Sequence, residues 1–177
     1  MPFTPYHFGP SAFIGLALKK YIDIPVFVLA NLIVDIEVFF YPRWPVHRYF
    51  HTLLIGAVVG AVWGLVAYAV KPVFKWGMQL VRVHYQTSFF KMIISGILGV
   101  WLHAITDGIY HWDVRMFWPS KARPLWHLVS EGQVKTICLA FFIAAVILYA
   151  ITFVSYTGQN KTKKAQDRAK KPNQSGR

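Results

Sequence analysis

The sequence has few acidic residues and almost no cysteine. Among its 177 residues there are 7 Asp or Glu against 19 Lys or Arg, and Cys138 is the one cysteine. A lone cysteine excludes a small fold held together by disulfide bonds. The chain also lacks the polar composition of an intrinsically disordered protein, because 55% of its residues are apolar. The composition therefore favours a small membrane protein, with a formal net charge of +12.

Long apolar runs fill most of the chain. They lie at Ile24–Phe40, Thr52–Val70, Phe89–Tyr110 and Val134–Tyr156. About 20 apolar residues in a helix cross a hydrocarbon core of ~30 Å. A soluble protein with buried helices is the alternative, but its helices would keep a polar face that these runs leave no room for. The sequence therefore predicts an all-α, polytopic membrane bundle of four spanning helices within a helical membrane domain of residues 1–157.

A shorter apolar stretch, Pro10–Leu18, precedes the four runs. It is too short to span in the usual way, and it lacks the charged start and small-residue cleavage site of a signal peptide. Proline and serine both suit the first positions of a helix. We therefore expect a short N-terminal helix that starts near Pro10 and Ser11 and is either re-entrant or partly inserted.

The basic residues give the bundle a direction. If the Ile24 end of the first span is inside, 13 Lys or Arg lie inside and 6 outside, and the positive-inside rule favours that arrangement. The tail 158–177 holds seven of the 13 and has no apolar period, which predicts a disordered, basic, cytoplasmic tail. We interpret the tail as a solvated segment that fixes the orientation of the chain, with binding of anionic lipid as the alternative. Nucleic acid is not expected as a partner, because no aromatic residue interrupts the basic run.

Three glycines recur at four-residue spacing in the second run, at positions 56, 60 and 64. They share one helix face and permit close approach of another helix. We favour packing within the chain over dimerisation.

Ionisable residues interrupt the apolar runs although each costs several kcal/mol in a membrane. The acids Asp35, Glu37 and Asp107 lie within runs, and His103 stands four residues before Asp107. A second pair at helical spacing, His47 and His51, opens the second run, and an i, i+4 spacing puts both rings on one helix face. In the predicted topology all of these residues converge near the outer face. His7 joins them if the N-terminal helix enters from outside, and His111 continues the stripe of His103 and Asp107.

Three readings of this convergence are open. A metal site is favoured, because histidine and carboxylate are ligands of zinc and, less specifically, of manganese or iron. A structural polar network, with an acid paired to Arg48, fits the same residues. A proton or ion pathway fits less well, because the acids gather at one side and do not line up through the bilayer.

The motifs also resemble those of a known family. They read His7 in TPYHFGPSAFIG, Asp35 and Glu37 in ANLIVDIE, His47 to Thr52 in HRYFHT, and His103 with Asp107 in LHAITD. Over roughly residues 1–120 the order resembles the membrane-bound metal-dependent hydrolase family, also described as LexA-binding, inner-membrane-associated hydrolases. Glu37 stands where the family often has Asp, and Phe50 stands where Thr is common. The resemblance implies a multi-pass protein of the bacterial inner membrane that binds a divalent metal ion, and a hydrolytic activity that is itself inferred from motifs.

The candidate residues exceed what one zinc ion needs. The candidate ligands are His7, Asp35, Glu37, His47, His51, His103 and Asp107. Tetrahedral zinc has four positions, so either two metals are bound or some of these residues orient the ligands or transfer protons. We expect Glu37 or Asp107, if not a ligand, to take or give the proton, and Arg48 to stabilise an anionic transition state or to hold a phosphate. A position at the outer interface suggests a lipid-linked ester or phosphoester as substrate.

Other kinds of chemistry are less well supported. The sequence has no G-x-S-x-G elbow, and Cys138 lies in an apolar run where a thiolate is disfavoured. His84 and His127 fall in loops and are expected to be exposed and non-catalytic. Two non-enzymatic functions stay open, namely a structural or partner-binding membrane protein and a metal or ion transporter.

Overall fold

The computed structural model of the chain describes residues 5–41, 43 and 45–169. The regular secondary structure of this part consists of six helices with no strand, which confirms the all-α prediction. The helices are α1 (Pro5–Ala17), α2 (Ile24–Phe40), α3 (Leu53–Ala69), α4 (Lys71–Leu80), α5 (Phe89–Tyr110) and α6 (Glu131–Ala169).

Two of these helices are long and apolar enough to cross a membrane, rather than a clear four. They are α5 and the Glu131–Gly158 part of α6. A third span results only if α3 and α4 count as one broken helix, and these two are bent by 77°. Helix α2 has the predicted bounds, but its 17 residues reach about 26 Å, short of a ~30 Å core. It ends at Phe40, because the next residue, Tyr41, precedes a proline in the sequence and a residue in that position disfavours helical geometry.

The two ends of the chain also differ from expectation. Helix α1 begins at Pro5 rather than near Pro10, and Pro10 lies inside it. Helix α6 continues to Ala169, so residues 158–169 of the expected disordered tail are helical. The rest of that tail, residues 170–177, lies outside the described residues.

Contacts along α5 fix the directions of α1 and α2. Asp23, at the start of α2, meets Ser95 near the start of α5, so α2 and α5 run parallel. Helix α1 runs antiparallel, because His7 meets Asp107 late in α5 and Lys19 meets Lys91 early in α5. The bundle therefore has two polar ends, which we call the histidine end and the Asp23 end.

The glycines of α3 allow it to pack closely against α5. A Cβ atom added to Gly60 would lie 2.6 Å from the carbonyl oxygen of Gly96, and one added to Gly64 would lie 2.6 Å from the Cα of Ile93. A real Cβ cannot approach that closely. This contact confirms that the glycine face packs within the chain.

Asp23 ties one end of the bundle together. It is fully buried, caps α2 by accepting a hydrogen bond from the Val26 N–H at 3.3 Å, and accepts another from the Tyr85 hydroxyl at 2.7 Å. The hydroxyl of Thr87 also donates to this carboxylate, and the Asp23 N–H donates to Ser95 Oγ at 2.7 Å. This acid is satisfied by hydroxyl and backbone donors and has a structural role.

Candidate metal centre

Four parts of the chain deliver side chains to the histidine end. Helix α5 presents His103 and Asp107 one turn apart on one buried face. Helix α2 contributes Asp35, and the segment between α2 and α3 contributes His47 and His51. Helix α1 brings His7. Every predicted ligand thus lies at the same end of the bundle, as expected from the sequence.

Four of these residues form a first set of possible ligands. The nearest atoms of Asp35, His51, His103 and Asp107 all lie within 4.8 Å of one another. His103 Nε2 is 3.1 Å from Asp35 Oδ1 and 3.0 Å from Asp107 Oδ2. His51 Nε2 is 3.7 Å and 3.5 Å from the same two oxygens. Ligands about 2.1 Å from a tetrahedral ion lie about 3.4 Å apart, so these separations suit one ion.

A second set shares Asp107 with the first. It consists of His47, Asp107 and His111, again with ligand atoms within 4.8 Å of one another. His47 Nε2 is 3.9 Å from Asp107 Oδ2, and the rings of His47 and His111 are 4.2 Å apart. Asp107 therefore lies between two groups of histidines.

Glu37 holds His51 rather than joining either set. Its Oε2 lies 2.9 Å from His51 Nδ1, and the two oxygens accept backbone N–H bonds from Arg48, Tyr49 and Phe50 at 3.0, 2.6 and 3.1 Å. With its oxygens occupied in this way, Glu37 has the geometry of a partner that orients a ligand. Its predicted roles as a ligand and in proton transfer stay predictions.

The rings of His103 and His47 are anchored in the same manner. His103 Nδ1 lies 3.2 Å from Asn31 Oδ1, and the Asn31 amide in turn donates to Ser11 Oγ at 2.9 Å. His47 Nδ1 lies 3.1 Å from Asp113 Oδ2. Burial alone would raise the pKa of Asp113, but hydrogen bonds from His47 lower it overall. In metal sites the nitrogen that does not bind the ion commonly makes such a bond and fixes the ring.

His51 provides a test of whether a metal fits. Its side chain is fully buried, and its Nε2 has no hydrogen-bond partner among the described residues. Because Nδ1 already faces Glu37, the orphaned Nε2 is aimed at the carboxylates of Asp35 and Asp107. A buried polar atom without a partner is costly, and a cation between these groups would satisfy it.

Charge in the centre is balanced differently at two histidines. Burial lowers the pKa of His111 to about 4, so its ring is neutral at neutral pH. Burial alone would also lower the pKa of His51, but the carboxylates around it, that of Asp107 first, raise it well above the ordinary value. The carboxylates around His51 thus attract a positive charge, which either a proton or a metal ion can supply.

His7 closes the centre from the side of α1. Its ring stacks on that of His103 at 4.3 Å, and its Nε2 lies 3.0 Å from Asp107 Oδ1. The ring is buried, and it belongs to neither set of possible ligands. This position places His7 against the shared carboxylate, where it can hold Asp107 in place.

Arg48 lies outside the two sets and lines a pocket. Its Nε donates to the Pro45 carbonyl at 3.0 Å, and its guanidinium lies over the ring of Tyr41 at 4.1 Å. The pocket, of about 350 Å³, is also lined by His47. Arg48 is therefore next to the second set and faces solvent.

Some residues of the centre were not among the predicted ligands. His111 follows Asp107 by four residues, and this spacing indicates that it could be included among the candidate ligands. Asp113 and Asn31 carry no such signal, since only the folded chain brings them to His47 and His103. His84 and His127 are exposed, as expected.

Comparisons of the chain with protein-family models, with curated proteins and with solved structures found no match. What the centre does is therefore argued from its own geometry.

Proposed function

We propose that this protein is a metal-dependent hydrolase embedded in a membrane, with its metal centre at the histidine end. One observation carries the proposal. Three histidines each turn Nδ1 toward an oxygen acceptor and aim Nε2 at the carboxylate of Asp107. Nitrogen and oxygen donors in this arrangement suit zinc, with manganese or iron as alternatives.

The burial of Asp107 favours a cation beside its carboxylate. Asp107 is 2% exposed and lies among rings that are themselves buried. A buried carboxylate is expensive unless an opposite charge compensates it. In the first set the nearest atoms of two carboxylates and two imidazoles lie within 4.8 Å of one another, which one divalent ion would stabilise.

The proposed reaction divides the work between the ion and the chain. A divalent ion supplies Lewis acidity, which lowers the pKa of a coordinated water toward ~7. Asp35, His51, His103 and Asp107 would hold the ion. Glu37 would keep His51 in its binding orientation, and the Asp107 oxygen that faces His7 would take the proton. Arg48, at the pocket, stabilises negative charge that develops on the substrate.

The membrane placement rests on the apolar helices and the basic residues. Helices α5 and α6 are long and apolar enough to span, and the distribution of Lys and Arg favours a cytoplasmic C-terminal tail. The histidine end would then face the opposite side, which is the periplasm if the bilayer is a bacterial inner membrane. A lipid-linked ester or phosphoester could reach a centre there.

A structural polar network is the competing function, because every one of these histidines already has a protein neighbour. It predicts that the centre stabilises the bundle with protons alone. Metal content therefore distinguishes the two proposals.

Elemental analysis of the purified full-length protein tests the proposal. We expect wild type and His84→Ala, which removes an exposed histidine, to carry at least one equivalent of zinc, manganese or iron. His51→Ala should lose that metal while retaining the helical content of wild type. A wild-type protein that neither contains nor takes up a divalent metal would leave the structural network as the explanation.

A further inference from the structure

A pocket of about 350 Å³ adjoins the candidate metal centre, and His47 belongs to both. The pocket is bounded on one side by the segment before α3 and on the other by the segment after α5. Apart from His47 and Asp113, no member of the centre lines it. It is therefore a separate cavity that reaches the second set of ligands through His47.

Three arginines line this cavity: Arg48, Arg115 and Arg123. Within the described part of the chain, no ion pair joins any of them to a carboxylate. The Nε of Arg123 is buried and has no hydrogen-bond partner there. Arg48 uses its Nε on the Pro45 carbonyl. A buried donor without an acceptor, such as the Nε of Arg123, is costly, and an anionic ligand would supply the acceptor.

The carboxylate of Asp113, which also lines the cavity, does not neutralise these cations. Asp113 accepts hydrogen bonds from the backbone N–H groups of Val46 and His47 at 3.0 and 3.1 Å, and from the His47 ring. Its oxygens are thus turned toward the backbone and the imidazole. The cavity keeps a net positive charge.

The remaining walls are largely aromatic. The rings of Tyr49 and Trp118 meet edge to face, with their centres 5.7 Å apart. The guanidinium carbon of Arg123 lies 5.6 Å from the centre of the Trp112 ring. All three aromatic side chains are at least partly exposed. Such walls suit the apolar part of a ligand whose charged group lies among the arginines.

We propose that this cavity is the substrate pocket and that it binds a phosphate monoester, with the phosphate among the three arginines and the alcohol part against the aromatic walls. This inference deepens the proposed hydrolase and rests on it for the reaction. In that reaction the oxygen of water forms a bond to phosphorus and the ester P–O bond breaks. The alcohol leaves with a proton, and inorganic phosphate is the second product.

Phosphate fits the cavity better than a carboxylate does. A phosphate monoester is a dianion with three terminal oxygens, and guanidinium groups bind such oxygens through paired hydrogen bonds. Three arginines around one small cavity exceed what a single carboxylate can satisfy. The position of His47 would then put the phosphorus next to the second set of ligands, which shares Asp107 with the first set that holds the ion.

Calorimetric titration of the purified full chain with inorganic phosphate tests the pocket. We expect saturable binding that Arg115→Gln and Arg123→Gln each weaken about tenfold, the loss of one charge-assisted contact. Arg115→Lys should recover part of the affinity. Lys121→Gln, which removes an exposed cation from the same segment but outside the cavity, should bind phosphate like wild type.

Equal phosphate affinity in wild type and both glutamine variants would overturn the pocket. Arg115 is exposed, so its variant is expected to fold even if Arg123→Gln does not. Performing the titration with and without zinc separates the two proposals. Arginine-dependent phosphate binding in a protein that takes up no metal would retain the pocket and reject the hydrolase. Metal uptake without phosphate binding would reject the phosphate pocket and leave the metal-dependent hydrolase standing.

The source of the phosphate is decided by a second probe. Phosphatidic acid in detergent micelles is compared with a soluble phosphate monoester, glycerol phosphate. If the three aromatic walls contact acyl or glycerol groups at a membrane surface, phosphatidic acid binds more tightly, and the arginine variants reduce that binding. Tighter binding of glycerol phosphate would assign the pocket to a soluble substrate.

Discussion

At the residue scale, Glu37 shows how a side chain outside both sets can control the centre. Its carboxylate fixes the ring of His51 and is itself fixed by three backbone N–H groups. Replacing such an orienting carboxylate commonly weakens metal binding 10- to 100-fold. We expect Glu37→Gln to weaken zinc binding by about that factor, measured by competition with a chelator of known affinity.

The matched control for that prediction is Glu131→Gln. This glutamate is exposed, pairs with Lys135 at the start of α6 and belongs to neither set. Its replacement should leave zinc affinity unchanged. If Glu37→Gln also leaves it unchanged, Glu37 does not position His51.

His111 allows the second set to be tested on its own. It belongs to that set and not to the first, and burial keeps its ring neutral and able to bind metal. We expect His111→Ala to reduce the zinc content of a fully loaded protein by one equivalent while the first equivalent stays bound. Titration followed by elemental analysis measures this. A variant with the same stoichiometry as wild type would show that the second set holds no ion.

Residue spacing explains which assignments were possible from the sequence. His103 and Asp107 are four apart in one helix, so their shared face follows from helical geometry alone. Asp35 and Glu37 are two apart, and residues at that spacing do not face the same way. The sequence placed both acids in the centre but could not separate their roles. Glu37 is held by the backbone N–H groups of residues 48–50, whereas Asp35 faces His51 and His103, and only the tertiary fold decides these positions.

At the element scale, the contact between α3 and α5 depends on the absence of side chains. A methyl group on Gly60 would collide with the backbone of Gly96 and Ile97. Overpacking of this kind typically costs 1–3 kcal/mol. We expect Gly60→Ala to lower the free energy of unfolding by about that amount, measured by denaturant titration in detergent.

Gly77→Ala serves as the control for that prediction. Gly77 lies within α4, and a Cβ there would meet nothing within 4 Å. Because alanine has the higher helix propensity, this variant should be as stable as wild type or slightly more so, by up to about 1 kcal/mol. Equal effects of the two substitutions would contradict close packing of α3 on α5.

The helices differ in how far the sequence determined them. The bounds of α2 and α5 coincide with apolar runs because Asp23 and Ser88 cap their starts. The bend between α3 and α4 was not predicted from the sequence, although Pro72 lies two residues after the end of the second run. The length of α6 was underestimated because its last turns are polar and give no hydrophobic period.

At the scale of the whole molecule, a metal ion in the first set would link parts of the chain that are distant in sequence. Its ligands come from α2, from the segment before α3 and from α5. A ligand that binds only the folded state stabilises it by ~2.7 kcal/mol when present at 100 times its dissociation constant. We expect removal of zinc by a chelator to lower the thermal midpoint by several degrees and re-addition to restore it.

The His51→Ala variant is the control for that linkage. It lacks one ligand of the first set but none of the second, so its thermal midpoint should respond to chelator and to zinc less than that of wild type. A wild-type midpoint that is also insensitive to both would show that no ion bridges these segments.

The shared position of Asp107 affects the order in which two metal ions would bind. One carboxylate serves both sets and also touches His7, so neither half of the centre can change its charge without the other responding. Linkage of this kind is reciprocal: an ion in the first set alters the affinity of the second by the same factor as the reverse. Two ions would therefore bind in sequence with unequal affinities, and the half-filled protein would be a distinct species with its own properties.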